Sequence, residues 1–114
     1  MPRFVILEHD HPVLHWDFML EIGGVLRTWR LPRAPSTTEP IEAIPLGDHR
    51  LAYLDYEGPV SGGRGQVRRW DRGEFELLSA AEGESIRVEL RGEKVRGVVA
   101  IKESDARWIF QTML

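Results

Sequence analysis

The chain has no cysteine, which excludes a disulfide scaffold, a cysteine nucleophile and a thiolate metal site, and permits an intracellular setting. Long hydrophobic runs are absent too. The first apolar run, Phe4–Leu7, is broken at Glu8, too short for a secretory leader, and no stretch approaches the ~20 apolar residues of a membrane span. A cytoplasmic protein with no membrane partner is expected. Helical periodicity is missing except at Leu77–Ala81, which reads as one short helical turn. Positive charge is not in surplus: 15 Lys and Arg against 18 Asp and Glu leave a net charge of −3. General polyanion binding is therefore disfavoured, and any contact with nucleic acid must come from a local basic patch.

What is present is one domain of short strands, residues 1–114, with turn residues between them. Arg3–Leu7 reads as a first strand. His15–Ile22 alternates strictly, with Trp16, Phe18, Leu20 and Ile22 on one face and His15, Asp17, Met19 and Glu21 on the other. Gly23-Gly24 supplies a hairpin turn into Val25–Leu31. Pro32 to Pro45 reads as a proline-rich surface loop, the stretch holding Leu51, Tyr53 and Asp55 as extended, and Ser61–Gly65 as a glycine loop. Gln66–Trp70 reads as a strand ended by the turn Asp71-Arg72-Gly73, and Ser85–Arg91, Val98–Lys102 and Arg107–Thr112 complete the set. This pattern predicts a mainly β protein, a small closed or partly open barrel of short antiparallel strands with little helix.

The chemistry concentrates in HDHPVLHWDFMLE, which holds three of the four histidines. Residues two apart on a strand share a face, so His15 and Asp17 project together. An antiparallel neighbour after the turn at Pro12 would bring His9 level with them. Two imidazoles and a carboxylate suit Mn²⁺, Zn²⁺, Co²⁺ or Fe²⁺, with positions left open for water and substrate. The competing reading is a half-exposed strand with a solvated polar face. His11 reads as a turn residue, and Glu21 as a group that supports the site from behind. His49 reads as a general acid or a surface partner of Asp48, and Tyr53 as a substrate contact or a core aromatic. Arg27 and Arg30 fall on opposite strand faces, so Arg27, Arg30 and Arg33 converge only in part. Arg64, Arg68, Arg69 and Arg72, beside a glycine loop, read as solvated arginines or as a cluster that tracks a nucleic-acid backbone, and one of these or Arg30 is expected to reach the cavity beside His15 and Asp17.

EHDHPVLHWDFMLE, GGVLRTWRLPRAPS, DHRLAYLDYEG and VRRWDRG, in that order, resemble the 3′-phosphoesterase domain of bacterial DNA ligase D, a domain that also occurs alone. The resemblance implies a small β-barrel enzyme of DNA repair. It would use Mn²⁺, with Zn²⁺ or Co²⁺ as alternatives, to trim a terminal ribonucleotide or hydrolyse a 3′-phosphate. It places His9, His15 and Asp17 as metal ligands, His49 and Tyr53 as catalytic residues at the phosphate, and Arg33 as a substrate contact where the family has lysine. The implied partners are DNA or RNA-tipped DNA 3′ ends and a separate ligase or polymerase, with the chain itself a monomer.

The chain departs from the family in ways that thin the phosphate clamp. Met19 stands where the family pattern L-H-Y-D-F-R-L-E has an arginine, and a thioether cannot donate a hydrogen bond to phosphate. Thr37 to Gly47 holds no basic residue, where the family supplies a second arginine. The alternatives are a non-catalytic metal-containing module that binds nucleic-acid ends or a protein, and a metal hydrolase of another small phosphoester.

Overall fold

The computed structural model describes residues 1–81, 85–104 and 107–113. Among these residues nine strands are formed: β1 Arg3–His9, β2 His15–Ile22, β3 Val25–Leu31, β4 Ile41–His49, β5 Gly58–Pro59, β6 Gln66–Ala81, β7 Ser85–Gly92, β8 Arg96–Ser104 and β9 Arg107–Met113. All pairings are antiparallel. The order β1-β2-β3-β4-β9-β8-β7-β6 closes on itself through β1 and β6, and β5 adds to the free side of β6. The result is the expected barrel, closed by eight strands. Closure leaves these strands without the unpaired edge that an open sheet exposes.

The alternation of β2 sets what is inside. Phe18 and Leu20 point into the barrel with Phe4, Ile6, Trp29, Phe75, Leu90 and Phe110. Phe18 meets Phe110 edge-on at 5.1 Å across the interior, so strands distant in sequence share one apolar core. The other face of β1, β2 and β3 is not left to water. Val5, Leu7, Met19 and Leu26 form a second, smaller core with Leu54 and Val67, packed by Tyr53 and Val60. The cover is the excursion between β4 and β6, which carries a 3₁₀ turn at Leu51–Leu54.

Four sequence expectations need correcting. Ile41–Pro45 belongs to β4, because Ile41 and Ala43 point inward and pair with β9. Pro45 lies beyond that pairing, where the missing proline N–H is tolerated. Leu51–Leu54 is a 3₁₀ turn rather than extended chain. Asp71-Arg72-Gly73 does not end a strand, since β6 runs on through it, paired with β1 and then with β7. Leu77–Ala81 is therefore strand; its alternation is broken by a bulge between Leu77 and Ser79, which leaves Leu77 and Leu78 both exposed.

Asp71 is buried and holds the β7–β8 turn. Its Oδ1 accepts from the backbone N–H of Arg72, Glu93 and Lys94 at 2.9, 2.8 and 3.1 Å, and its Oδ2 from Val95 at 2.8 Å. Gly92 makes room for it: a Cβ there would lie 2.4 Å from Asp71 Oδ2 and 2.8 Å from Phe4.

Candidate functional site

The register of β1 and β2 builds the first half of the site. His9 pairs with His15 and Leu7 with Asp17, so all four share the outer face of the barrel. His9, His15 and Asp17 each offer a donor atom, and these atoms lie within 4.8 Å of one another. His15 and Asp17 are buried, while the His9 side chain keeps 15% of its surface exposed.

Hydrogen bonds on the outward side of each ring settle which nitrogens face in. His9 Nε2 donates to the carbonyl of Arg64 at 2.8 Å, and His15 Nδ1 to the carbonyl of Val13 at 2.8 Å. A carbonyl can only accept, so each of these nitrogens carries the proton. In the neutral imidazoles, His9 Nδ1 and His15 Nε2 then present lone pairs toward Asp17. The distances are 3.8 Å from His9 Nδ1 to Oδ2 and 3.3 Å from His15 Nε2 to Oδ1. The shorter contact is within ion-pair range, yet neither His15 Nε2 nor Asp17 Oδ1 has a hydrogen-bond partner. Two buried acceptors facing each other are unfavourable unless a cation lies between them. The donor set of two imidazoles and a carboxylate fits a divalent transition metal.

The second half comes from β4. Thr28 pairs with Leu46, but Leu26 pairs with His49, so Gly47 and Asp48 together oppose one residue of β3. A regular ladder would place Asp48 opposite Leu26 and turn His49 toward the interior. The extra residue aims His49 at the outer face with His9, His15 and Asp17. His49 Nδ1 donates to the Gly47 carbonyl at 2.9 Å, which leaves Nε2 open. Tyr53 meets the His49 ring edge-on at 5.8 Å. His9, Asp17, His49, Tyr53, Met19 and Arg64 line a cleft of about 80 Å³, with the buried His15 behind it.

Arg33 does not join them. Its Nη2 donates to the Pro40 carbonyl at 2.7 Å and lies 3.7 Å from Glu39. Glu21 does not support the site either, since its carboxylate accepts from the Arg3 backbone N–H at 2.9 Å. His11 is exposed in the β1–β2 turn. Arg27 packs over Trp29, its guanidinium carbon 5.1 Å from the ring centroid. Arg30 stands opposite Asp17 in register, with a buried Nε that has no partner, but it is not a cleft residue. Of the β6 cluster, Arg68 pairs with Glu8, Arg69 with Glu57 and Arg72 with Glu93.

Arg64 is the member of the Arg64–Arg72 cluster that lines the cleft. Its carbonyl orients His9, and its guanidinium is held by Ser61 through the carbonyl at 2.7 Å and the hydroxyl at 3.1 Å. The available signal was its place among Gly62, Gly63 and Gly65, all with positive φ. The loop is tied to the ligand strand by Asp10, whose Oδ1 accepts from Gln66 N at 2.8 Å. Just after the 3₁₀ turn, the hydrogen bond from Arg3 holds the Asp55 carboxyl below its ordinary value of 3.8.

A family model described as the DNA Ligase D 3′-phosphoesterase domain matches residues 7–102 of the chain. The multifunctional non-homologous end joining protein LigD of Pseudomonas aeruginosa is 35% identical over 104 residues, which cover 83% of this chain and 12% of that protein. The multifunctional non-homologous end joining DNA repair protein LigD of Mycobacterium tuberculosis is 36% identical over 116 residues, 93% of this chain and 15% of the relative. For LigD of Mycolicibacterium smegmatis the figures are 34% over 128 residues, 97% and 17%. The chain thus spans only a small part of the length of these relatives.

Proposed function

This chain belongs to the DNA ligase D 3′-phosphoesterase domain family, and from that membership we propose that it is a divalent-metal-dependent phosphoesterase acting on nucleic-acid 3′ ends in DNA repair. The substrates of this reading are a strand ending in a 3′-phosphate or in a ribonucleotide, and Mn²⁺ is the proposed metal. The observation that carries it is the convergence of His9 Nδ1, His15 Nε2 and Asp17 beside a cleft that also holds His49 and Tyr53. A metal bound there would supply Lewis acidity to a phosphoryl oxygen.

The protein's own groups do the rest. The Arg64 and Val13 carbonyls keep both imidazoles in the tautomer that binds. His49, with Nδ1 committed to Gly47, uses Nε2 toward the substrate. In its protonated form it donates to a phosphoryl oxygen and offsets the charge that develops there. Tyr53 offers its hydroxyl as a second donor from the adjacent wall. Arg33 can join only by leaving Pro40 and Glu39; its side chain is 52% exposed, and such pairs are worth less than about 1 kcal/mol.

The test is a 3′-end assay on a 5′-labelled primer–template ending in one ribonucleotide or in a 3′-phosphate, run with Mn²⁺, with EDTA and with Asp17→Ala. Activity that needs Mn²⁺ and disappears in the variant is the expected outcome. Full activity in Asp17→Ala would remove the metal site from the mechanism. A second reading, a metal-containing module that binds ends without turnover, is favoured by one observation: Met19 is buried in the cleft wall where the family resemblance calls for an arginine. Stoichiometric Mn²⁺ binding with no turnover of either end would select it.

A further inference from the structure

The metal cleft is small, about 80 Å³. A larger hollow of about 250 Å³ opens on the other side of Tyr53 and shares both Tyr53 and Val60 with the cleft. Tyr56 forms its wall, with its ring edge-on to Tyr53 at 5.9 Å and its hydroxyl donating to the Pro59 carbonyl, which pins the ring while leaving 38% of the residue exposed. Arg50, at the start of the 3₁₀ turn, is the basic residue of this hollow and is exposed. Among the described residues, three larger hollows, of 280, 340 and 480 Å³, share no residue with the metal cleft.

From this continuity we infer that the Tyr53–Tyr56 hollow is a nucleobase subsite, taking the base of the terminal nucleotide whose phosphate lies at His9 and Asp17. Two phenol rings fixed at right angles give one ring face for stacking and one edge for contact, which tolerates any base. Arg50 adds a guanidinium that can cover the base or meet the next phosphate along the strand. The inference rests on the proposed end-processing function for the position of the phosphate, but base binding can be measured without turnover.

The experiment compares kcat/KM for a 3′-phosphorylated strand ending in adenine with one ending in an abasic tetrahydrofuran. Wild type should prefer adenine by about ten-fold or more. Tyr56→Phe should keep the preference, because the ring remains, and Tyr56→Ala should lose it. Ala52→Trp, which fills the hollow from an exposed position, should lose it as well and covers the case in which Tyr56→Ala does not fold. Equal rates on the two ends in wild type would overturn the subsite while leaving the proposed function intact. If neither end is turned over, a 3′-terminal 2-aminopurine gives the answer by fluorescence. Quenching by wild type but not by Ala52→Trp supports the subsite, and no difference between the two proteins overturns it.

Discussion

Met19 is 1% exposed, packed with Val5, Leu7 and Leu26 while also forming part of the cleft wall. It therefore contributes to stability at a position that could contact phosphate. Met19→Arg should lower KM for a 3′-phosphate end about ten-fold, since a charge-assisted hydrogen bond is worth about 1.5–3 kcal/mol. The same change should lower Tm, because a long cation must then share a small apolar core. Steady-state kinetics and calorimetry on one preparation would read both effects; an unchanged KM would mean that position 19 does not face the substrate. Asp71 is the opposite case, a charge whose role is structural. Asp71→Asn replaces one acceptor oxygen with an NH₂ group aimed at backbone donors, at a cost of about 2–4 kcal/mol. Urea denaturation should show that loss, while Mn²⁺ affinity stays unchanged.

Among elements, the glycine loop between β5 and β6 reaches the candidate metal site through the hydrogen bond between the Arg64 carbonyl and His9. Gly65 has φ +72°, and a Cβ on it would lie 2.2 Å from Asp10 Oδ1 and 2.7 Å from His11 Cβ. Gly65→Ala should push the loop off Asp10 and withdraw the Arg64 carbonyl from His9. Loss of such a supporting partner typically weakens metal binding about 10- to 100-fold. Titration with Mn²⁺ followed by electron paramagnetic resonance would measure it, and an affinity equal to wild type would refute the role of the loop. The elements also differ in how readable they were. β2 and β7 showed clear alternation between polar and apolar residues, and β3 followed from the Gly23-Gly24 turn, so all three were legible at once. β4 and β6 were not, because Pro45, Asp71 and Gly73 are turn-forming residues in a local window. What overrides them is pairing with β3, β9, β1 and β7, which no local window contains.

The whole molecule places its chemistry on the outside of the barrel, under the cover between β4 and β6, while the interior is apolar. His9 and His15 are brought into register by a turn that the sequence marks with Pro12, so these two and Asp17 were legible as one group. His49 and Tyr53 reach that group only because the barrel wraps β3 and β4 beside β2 and folds the 3₁₀ turn back across β1. A metal that binds only the assembled site must stabilise the fold: about 2.7 kcal/mol at a hundredfold excess over Kd. Differential scanning calorimetry should show a Tm rise of about 5 °C or more with Mn²⁺, and little or none in Asp17→Ala. An equal rise in both proteins would locate the metal elsewhere.

The sequence by itself determined the fold class, the face of β2 that carries polar residues, and the grouping of His9, His15 and Asp17, because side-chain alternation and a short turn are local properties of the chain. Only the tertiary structure decided the rest. The bulge at Gly47-Asp48 turns His49 outward, the Arg64 carbonyl sets the tautomer of His9, Arg33 is drawn to Glu39, and a second hollow opens behind Tyr53. Each depends on which distant strand or loop packs alongside, and that is settled by closure of the barrel as a whole.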